Sequence, residues 1–274
     1  MLTLEKALEI IEQLKNCNSD GLGISFLSDT LGLGKSTVHR ILDTLMTYDF
    51  VEKCPNSSKY RLTWKLFEIG STIPRQRNLD YFDTKILHEL CGKYKETVNL
   101  AIRVRNKAVI ISKVDPQDVP VKVNLGVGEH DPLHATALGK VLISELDSDE
   151  LLAIFGGEQL EQYTGNTITS LNELASHLAK VREAGYAFDL EEYSPGLTCL
   201  AVPIRNYTNQ VIAAISISGP SFRLQHNKIM SIIEDLKSTC REYSNYLGAS
   251  RATQADSSSR PAVDAPFDTA KQDK

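Results

Sequence analysis

Residues 34–48, Gly-Lys-Ser-Thr-Val-His-Arg-Ile-Leu-Asp-Thr-Leu-Met-Thr-Tyr, constrain this chain more than any other stretch. Wound at about 100° per residue, they place Val38, Ile41, Leu42 and Leu45 on one face, the i, i+3, i+4, i+7 spacing of a buried stripe. Ser36, His39, Arg40, Asp43 and Thr47 fall on the opposite face. Lys35, Ser36, Thr37, His39 and Arg40 crowd the first turns, and all of them can donate hydrogen bonds to phosphates or base edges. A helix that buries one side and offers short donors with an Arg near its N-terminus suits the DNA major groove. An ordinary amphipathic surface helix carries the same stripe, so the flanking residues must separate the two readings.

The flanks favour DNA. Thr3 to Lys15 reads as a first helix with Leu4, Ala7, Leu8, Ile11 and Leu14 as its apolar stripe. Ile24 to Leu31 reads as a short second helix with Leu27 and Leu31 inward, and Gly32-Leu33-Gly34 breaks the chain before the third. Helix, short helix, glycine turn and donor-bearing helix form a helix-turn-helix layout. Phe50 to Lys53 and Lys59 to Leu62 then read as two strands joined by Pro55-Asn56-Ser57-Ser58. This hairpin has the size of a wing, with Lys53, Lys59 and Arg61 as cations at its tip and sides; a hairpin that only closes a small core is the alternative. Trp64 to Ser71 is a further helix that Pro74 ends or kinks, and 75–78 is polar.

Charge qualifies this reading. The whole chain carries a net −5, but residues 1–78 hold ten Lys and Arg against nine Asp and Glu. So weakly cationic a head needs its positive charge placed locally, and more than one copy per DNA site.

From Leu79 the pattern changes. Asp83 to Tyr94 is an amphipathic helix, followed by β-like segments at Val98 to Val104, Ala108 to Val114 and Val119 to Leu125, with Asn106-Lys107 as the first turn. Gly126 to Pro132 reads as a loop. Helices are expected over His134 to Glu145, Asp149 to Phe155, Leu171 to Ala184 and Leu224 to Leu247, and strands over Tyr186 to Leu190, Leu200 to Ile204 and Val211 to Ser218. Two runs of strands with helices between them indicate an α+β domain built on an antiparallel sheet. Residues 249–274, with Ser257-Ser258-Ser259, two prolines and one aromatic, lack the apolar content to order themselves and read as a disordered tail.

Several functions are disfavoured. Five widely spaced cysteines with no CxxC argue against a disulfide framework or a Cys-rich zinc site, and HExxH, P-loop and GxGxxG motifs are absent, so no metal or cofactor is expected. No apolar run nears the ~20 residues that span a bilayer, and the N-terminus lacks a secretory layout, so a cytoplasmic location without membrane contact is expected. Cys199, His134 and Asp189 are a conceivable nucleophilic set, but Cys199 lies in an apolar run rather than an electropositive one. Ser216 and Ser218 alternate with apolar residues, which puts both hydroxyls on one face of a strand, where buried polar groups need partners. Asp189 at a strand end is either a turn acid or an acceptor for ligand hydroxyls. Cys199 reads as a small buried wall residue, Leu197 as apolar lining, His134 as a ligand contact or a loop cap, and Lys140 as a solvated surface lysine.

Gly34 to Leu42, Tyr60-Arg61-Leu62 and Lys65 to Gly70 resemble the DNA-binding half of IclR-type regulators. Pro132 to Lys140, Gly185 to Glu192, Gly196 to Pro203 and Ala213 to Pro220 resemble their effector-binding half. Within the family the chain looks closest to the branch controlling sugar-acid catabolism. The resemblance implies a winged helix-turn-helix over 1–63, a linker helix over 64–78 and a GAF-like effector-binding domain over 79–248. It further implies homodimers or dimers of dimers on palindromic operators in double-stranded DNA, with Lys35, Ser36, Thr37, His39, Arg40, Lys53 and Lys59 at the DNA. A small carboxylate, a sugar acid or keto acid, would lie against the amides of Ala137 and Leu138 with Asp189, Leu197, Cys199, Ser216 and Ser218 around it. Repression of a catabolic operon is the expected function; activation in response to an aromatic acid and a Cys-dependent enzyme are the alternatives. Asp43, on the outward helix face, departs from a simple DNA surface because it repels phosphate unless it is engaged elsewhere.

Overall fold

A computed structural model describes residues 3–17, 20–73, 84–117, 119, 126–224 and 226–249, with the side chains of 226 and 227 left aside. The chain divides into two compact units, Met1–Tyr81 and Phe82–Lys274.

In the first unit, α1 (Thr3–Lys15), α2 (Ile24–Leu31) and α3 (Lys35–Thr47) pack on one core that includes Ile10, Leu14, Leu27, Val38, Ile41, Leu42, Val51 and Tyr60. Gly32 closes α2 in the left-handed region at φ 62°, where its amide caps back onto the Ser28 carbonyl; a side chain there would be strained. α3 buries the expected stripe, with Leu45 half-buried. β2 (Val51–Lys53) and β3 (Lys59–Leu62) pair antiparallel as the hairpin, and β1 (Leu22–Gly23) adds a third strand on the far side of β3. That pair of residues was not among the strands expected from the sequence. Two residues give no period to detect, and only Tyr60 and Lys59 opposite them make a strand. α4 (Lys65–Ser71) follows, with Trp64 and Phe67 edge to face at 6.0 Å.

The stripe expected on α1 is only half right. Ile10 and Leu14 are buried, whereas Leu4 and Leu8 stay exposed. Two apolar stripes at helical spacing overlap on this helix, Leu4-Leu8-Ile11 and Ala7-Ile10-Leu14, and periodicity alone does not choose between them.

The second unit is a six-stranded antiparallel sheet in the order β6-β5-β4-β9-β8-β7. Its strands are β4 (Thr97–Val104), β5 (Lys107–Val114), β6 (His130–Pro132), β7 (Ala187–Leu190), β8 (Leu197–Arg205) and β9 (Val211–Pro220). Side chains alternate across it with period two. Val98, Leu100, Leu200, Val202, Ile215 and Ile217 face α5 (Thr84–Tyr94) and α9 (His226–Tyr246). Ala101, Cys199, Ala201 and Ala214 face α6 (Ala137–Leu142), α7 (Ser148–Phe155) and α8 (Leu171–Ala184). Within α6, a Cβ on Gly139 would sit 2.4 Å from the Cα and carbonyl oxygen of Leu133, just ahead of the helix, so only glycine fits.

The structure shifts several expected boundaries. The β4–β5 turn is Arg105-Asn106, with Val104 paired to Lys107. His130–Pro132, read as loop, is the edge strand β6, because it pairs with Lys107–Val109. The helix expected over His134 to Glu145 is regular only from Ala137 to Leu142, with Thr136 accepting the Gly139 amide as N-cap. β8 and β9 run longer than expected. Of the segment Val119 to Leu125, all but Val119 lies outside the described residues, as do Pro74 to Asn78 of the linker and 250–274 of the tail.

Candidate nucleic-acid interface and ligand pocket

On the outer face of α3, Lys35, Ser36, His39 and Arg40 are exposed and Thr37 is half-buried. Asp43 is not free to repel a phosphate, since its carboxylate pairs with His39 Nδ1 at 2.8 Å, one turn back. The pair also fixes the His39 ring beside Arg40. On the hairpin, Lys53 and Lys59 are exposed, whereas Arg61 is held by Glu52 at 2.7 Å, which lowers its value as a phosphate contact. The helix therefore offers exposed donors on its outer face, and the hairpin of the same unit exposes two lysines.

In the second unit, Ala137, Leu138, Asp189, Leu197, Cys199, Ser216 and Ser218 all line one cavity of about 570 Å³. That size is within the ~300–1,000 Å³ usual for small-molecule sites. Their convergence follows from register. Asp189, Cys199 and Ser218 are cross-strand neighbours on β7, β8 and β9, and Ser216 lies two residues on, opposite Asn99. α6 roofs the inner face. Its N-cap Thr136 takes the Gly139 amide at 3.1 Å and donates to the Pro132 carbonyl at 2.8 Å. Helix geometry leaves the amides of Ala137 and Leu138 without intrahelical acceptors.

Asp189 is 1% exposed. Its Oδ1 accepts the amides of Glu192 at 2.8 Å and Tyr193 at 3.3 Å, and its Oδ2 has no partner. The turn-acid reading of this residue therefore holds for one of its two oxygens. Burial raises the carboxyl to about 7, against the opposing pull of those amides and of Lys140. A raised carboxyl favours the folded state when protonated. That contribution is whole below about pH 4 and is lost as the pH rises through about 7. Asp189→Asn, which cannot ionise, is expected to remove roughly 3 kcal/mol or less of pH-dependent stability between pH 5 and 8. Thermal denaturation at those two pH values should show a smaller loss for the variant than for the native chain. His177, lowered to about 4 by burial, acts in the opposite sense below its ordinary value, equally in both proteins.

Lys140 corrects the sequence reading. It is not solvated: at 0% exposure its Nζ donates to the Phe188 carbonyl at 2.7 Å and pairs with Glu192. Its placement one turn into α6 points it at the sheet, a direction that its charge alone gave no reason to expect. His134 is also structural. Its Nε2 bonds to the Glu161 carbonyl at 2.8 Å, its ring meets Phe155 edge to face, and it does not line the cavity. Cys199 is buried, and burial followed by the charge of Asp189 pushes its thiol well up, the opposite of an activated nucleophile. Polar lining residues that escaped sequence reading include Asn99, Asp131, Tyr193 and Ser194. Asn99 alternates with apolar neighbours as Ser216 does, and that signal was available. Asp131 gave none, because its strand was not visible.

Residues 3–55 match the IclR helix-turn-helix domain, and residues 75–245 match the bacterial transcriptional regulator IclR C-terminal domain. The chain belongs to the IclR family. This IclR-family regulator is 35% identical over 246 residues to the HTH-type transcriptional regulator XynR of Escherichia coli (strain K12), covering 90% of this chain and 97% of XynR. It is 32% identical over 248 residues to the DNA-binding transcriptional repressor YiaJ of the same organism, covering 90% of this chain and 88% of YiaJ. The crystal structure of an IclR homolog from Microbacterium hydrocarbonoxydans, complexed with 4-hydroxybenzoate, has the same fold at a TM-score of 0.78 and 23% identity, covering 91% of this chain and all of that one. IclR-family proteins are DNA-binding transcriptional regulators and not enzymes, which removes the Cys-dependent alternative. No helix among the described residues is long and apolar enough to cross a membrane.

Proposed function

We propose that this IclR-family regulator is a cytoplasmic repressor of a catabolic operon, released from or held on a palindromic operator according to a small organic acid bound in the cavity. The acid is a sugar acid or keto acid. Its carboxylate meets the amides of Ala137 and Leu138, with Asp189, Ser216, Ser218 and Cys199 toward its polar groups and Leu197 as apolar wall. The observation that carries this reading is the convergence of these seven residues, from four separate elements, on one cavity of suitable size. The name of YiaJ as a repressor supports the sign of regulation, and the 4-hydroxybenzoate held by the Microbacterium homolog supports a carboxylic acid as effector, without favouring a sugar or keto acid over an aromatic one.

Operator reading rests on Lys35, Ser36, Thr37, His39 and Arg40 in the groove and on Lys53 and Lys59 at the backbone. A palindrome calls for a homodimer or a dimer of dimers. Leu4 and Leu8 on α1, and Trp64 (83% exposed) and Phe67 on α4, leave apolar surface that a second copy would cover. For the acid to change operator affinity, it must bind the DNA-competent and DNA-incompetent states of the oligomer unequally.

The test pairs two substitutions, Asp189→Ala and Ser216→Ala. In a gel-shift assay on the chain's own upstream region, with a panel of small carboxylates added, the native protein changes its operator affinity with at least one acid. The double variant is expected to bind the operator as before and to ignore every acid. A retained response would remove the pocket assignment.

A further inference from the structure

Two buried carboxyls share the cavity with no cation beside them. Asp189 is 1% exposed with its Oδ2 unpartnered, and Asp131, opposite Ala108 on the edge strand β6, is 8% exposed. β6 and β7 are the two outermost strands of the sheet, yet both aspartates line the same cavity. The sheet curls far enough to bring its edges around one ligand. The charge of each aspartate raises the thiol of Cys199, which pairs across from Asp189 on β8.

The groups around the two carboxyls leave them uncompensated. The cavity lining includes no Lys, Arg or His among the described residues. From β4 and β9 come the neutral side chains of Asn99, Ser216 and Ser218, and from β8 the Cys199 thiol. The turn after β7 adds the Tyr193 phenol, raised by burial and by the charges of Asp131 and Glu161. Lys140 of α6 acts on Asp189 from outside the lining, and it is committed to Glu192 and the Phe188 carbonyl. His177 of α8, which feels the charge of Lys140, is outside the lining too. Beside Asp131, Glu129 adds another negative charge, and the neighbouring His130 is exposed and bonded to Lys107.

An organic acid brings a third carboxylate into this space. Three like charges in one cavity of low dielectric are strongly disfavoured. The ordinary relief, a basic side chain, is missing from the lining. The remaining relief is a proton. A neutral carboxyl no longer repels the ligand, and its O–H donates to the ligand's own carboxylate or carbonyl. Burial has moved both groups toward this state before any ligand arrives, Asp189 to about 7 and Asp131 to about 6.

We infer that an acid enters the cavity together with a proton taken up from solvent by the Asp131 and Asp189 carboxyls, so that the regulator reads acid concentration and pH as one signal. Asp131 is thereby a ligand-binding residue, and in its neutral form a donor to the acid. This rests on the reading of the cavity as an acid-binding site, adds a residue and a mode of regulation to it, and holds for a sugar, keto or aromatic acid alike.

Isothermal titration of the full chain tests the inference. The probes are gluconate, galacturonate, pyruvate and 4-hydroxybenzoate, whose carboxylates are ionised throughout, and the tightest of the four is followed between pH 6 and pH 8.5. Linked uptake of one proton weakens binding by up to about tenfold per pH unit above the titration of the free site, so affinity is expected to fall about tenfold or more over this range. At pH 7.5 the heat of binding is expected to be more endothermic in Tris than in HEPES, because the buffer supplies the proton, by an amount equal to about half a proton or more per acid bound. Asp131→Asn combined with Asp189→Asn keeps both side chains neutral at every pH. In that variant affinity should stay within about threefold over the same range, with equal heats in the two buffers. If the variant does not fold, the two-buffer measurement on the native chain decides alone. An acid that binds with flat affinity and equal heats overturns the inference and leaves the acid-binding cavity standing. A pH dependence that survives in the folded double variant places the proton elsewhere and also overturns it. If none of the four acids binds at any pH, the effector reading falls and this inference with it.

Discussion

Replacing Lys140 by methionine is expected to lower the melting temperature of the chain by about 10 °C and to abolish binding of acids in the cavity. The substitution keeps the length of an unbranched side chain but strips Glu192 of its cation. Glu192 is buried, burial already raises its carboxyl, and Lys140 is the group that holds it down. Removing one member of a buried pair costs about 3–5 kcal/mol, because the other charge stays behind uncompensated. In a unit of this size, each kcal/mol moves the melting temperature by about 2–4 °C. The functional loss follows from position. Lys140 belongs to α6, whose first amides roof the cavity, and its Nζ grips the Phe188 carbonyl and the Glu192 carboxylate on either side of Asp189. The turn that aims Asp189 Oδ2 into the cavity depends on the amides of Glu192 and Tyr193, so a loosened Glu192 releases Asp189 as well. A second substitution, Glu192→Leu, should restore much of the stability, since a buried pair replaced whole by apolar groups is often neutral. It should not restore acid binding. Calorimetry of the two single variants and the double variant checks this. If Lys140→Met melts within about 2 °C of the native chain, the ion pair is not the tie that the geometry describes.

Arg40→Ala should weaken binding to the cognate operator by about tenfold or more and leave acid binding untouched. Arg40 lies exposed on the outer face of α3, beside the His39–Asp43 pair that occupies the neighbouring carboxylate. A bidentate Arg contact to a guanine edge carries about 1–3 kcal/mol of discrimination, and in a head with almost no net charge each cation counts. The loss should be concentrated on the cognate site. Lys53→Ala and Lys59→Ala are expected to act differently, weakening all DNA about equally and lowering the salt slope by about one each. Fluorescence anisotropy on operator and scrambled duplexes, across a salt series, separates the two classes. Equal operator affinity for Arg40→Ala would remove it from the reading surface.

Much of this was legible locally. The α3 stripe, the glycine break at Gly32, the hairpin around Pro55 to Ser58 and the α8 boundaries, Leu171 to Ala184, all rest on neighbours within a turn or two of chain. The positions of Ser216 and Ser218 on one face follow from the two-residue period of a strand. The errors cluster where the deciding contact is remote. α1 carries two competing stripes, and only packing selected Ile10 and Leu14. β1 and β6 are too short for a period and exist because Tyr60 and Ala108 lie opposite them.

The pocket divides along the same line. Spacing and motif determined that a polar-faced strand, a capped helix and an acid at a strand end were present. Only the tertiary structure decided that Asp131 and Asp189, from opposite edges of the sheet, meet around one cavity, and that Lys140 is an interior cation rather than a surface one. Helix and strand periods are set by backbone geometry between near neighbours, and therefore show in the order of residues. Sheet curl and charge burial are set by pairings between residues tens of positions apart, and linear spacing carries no record of those.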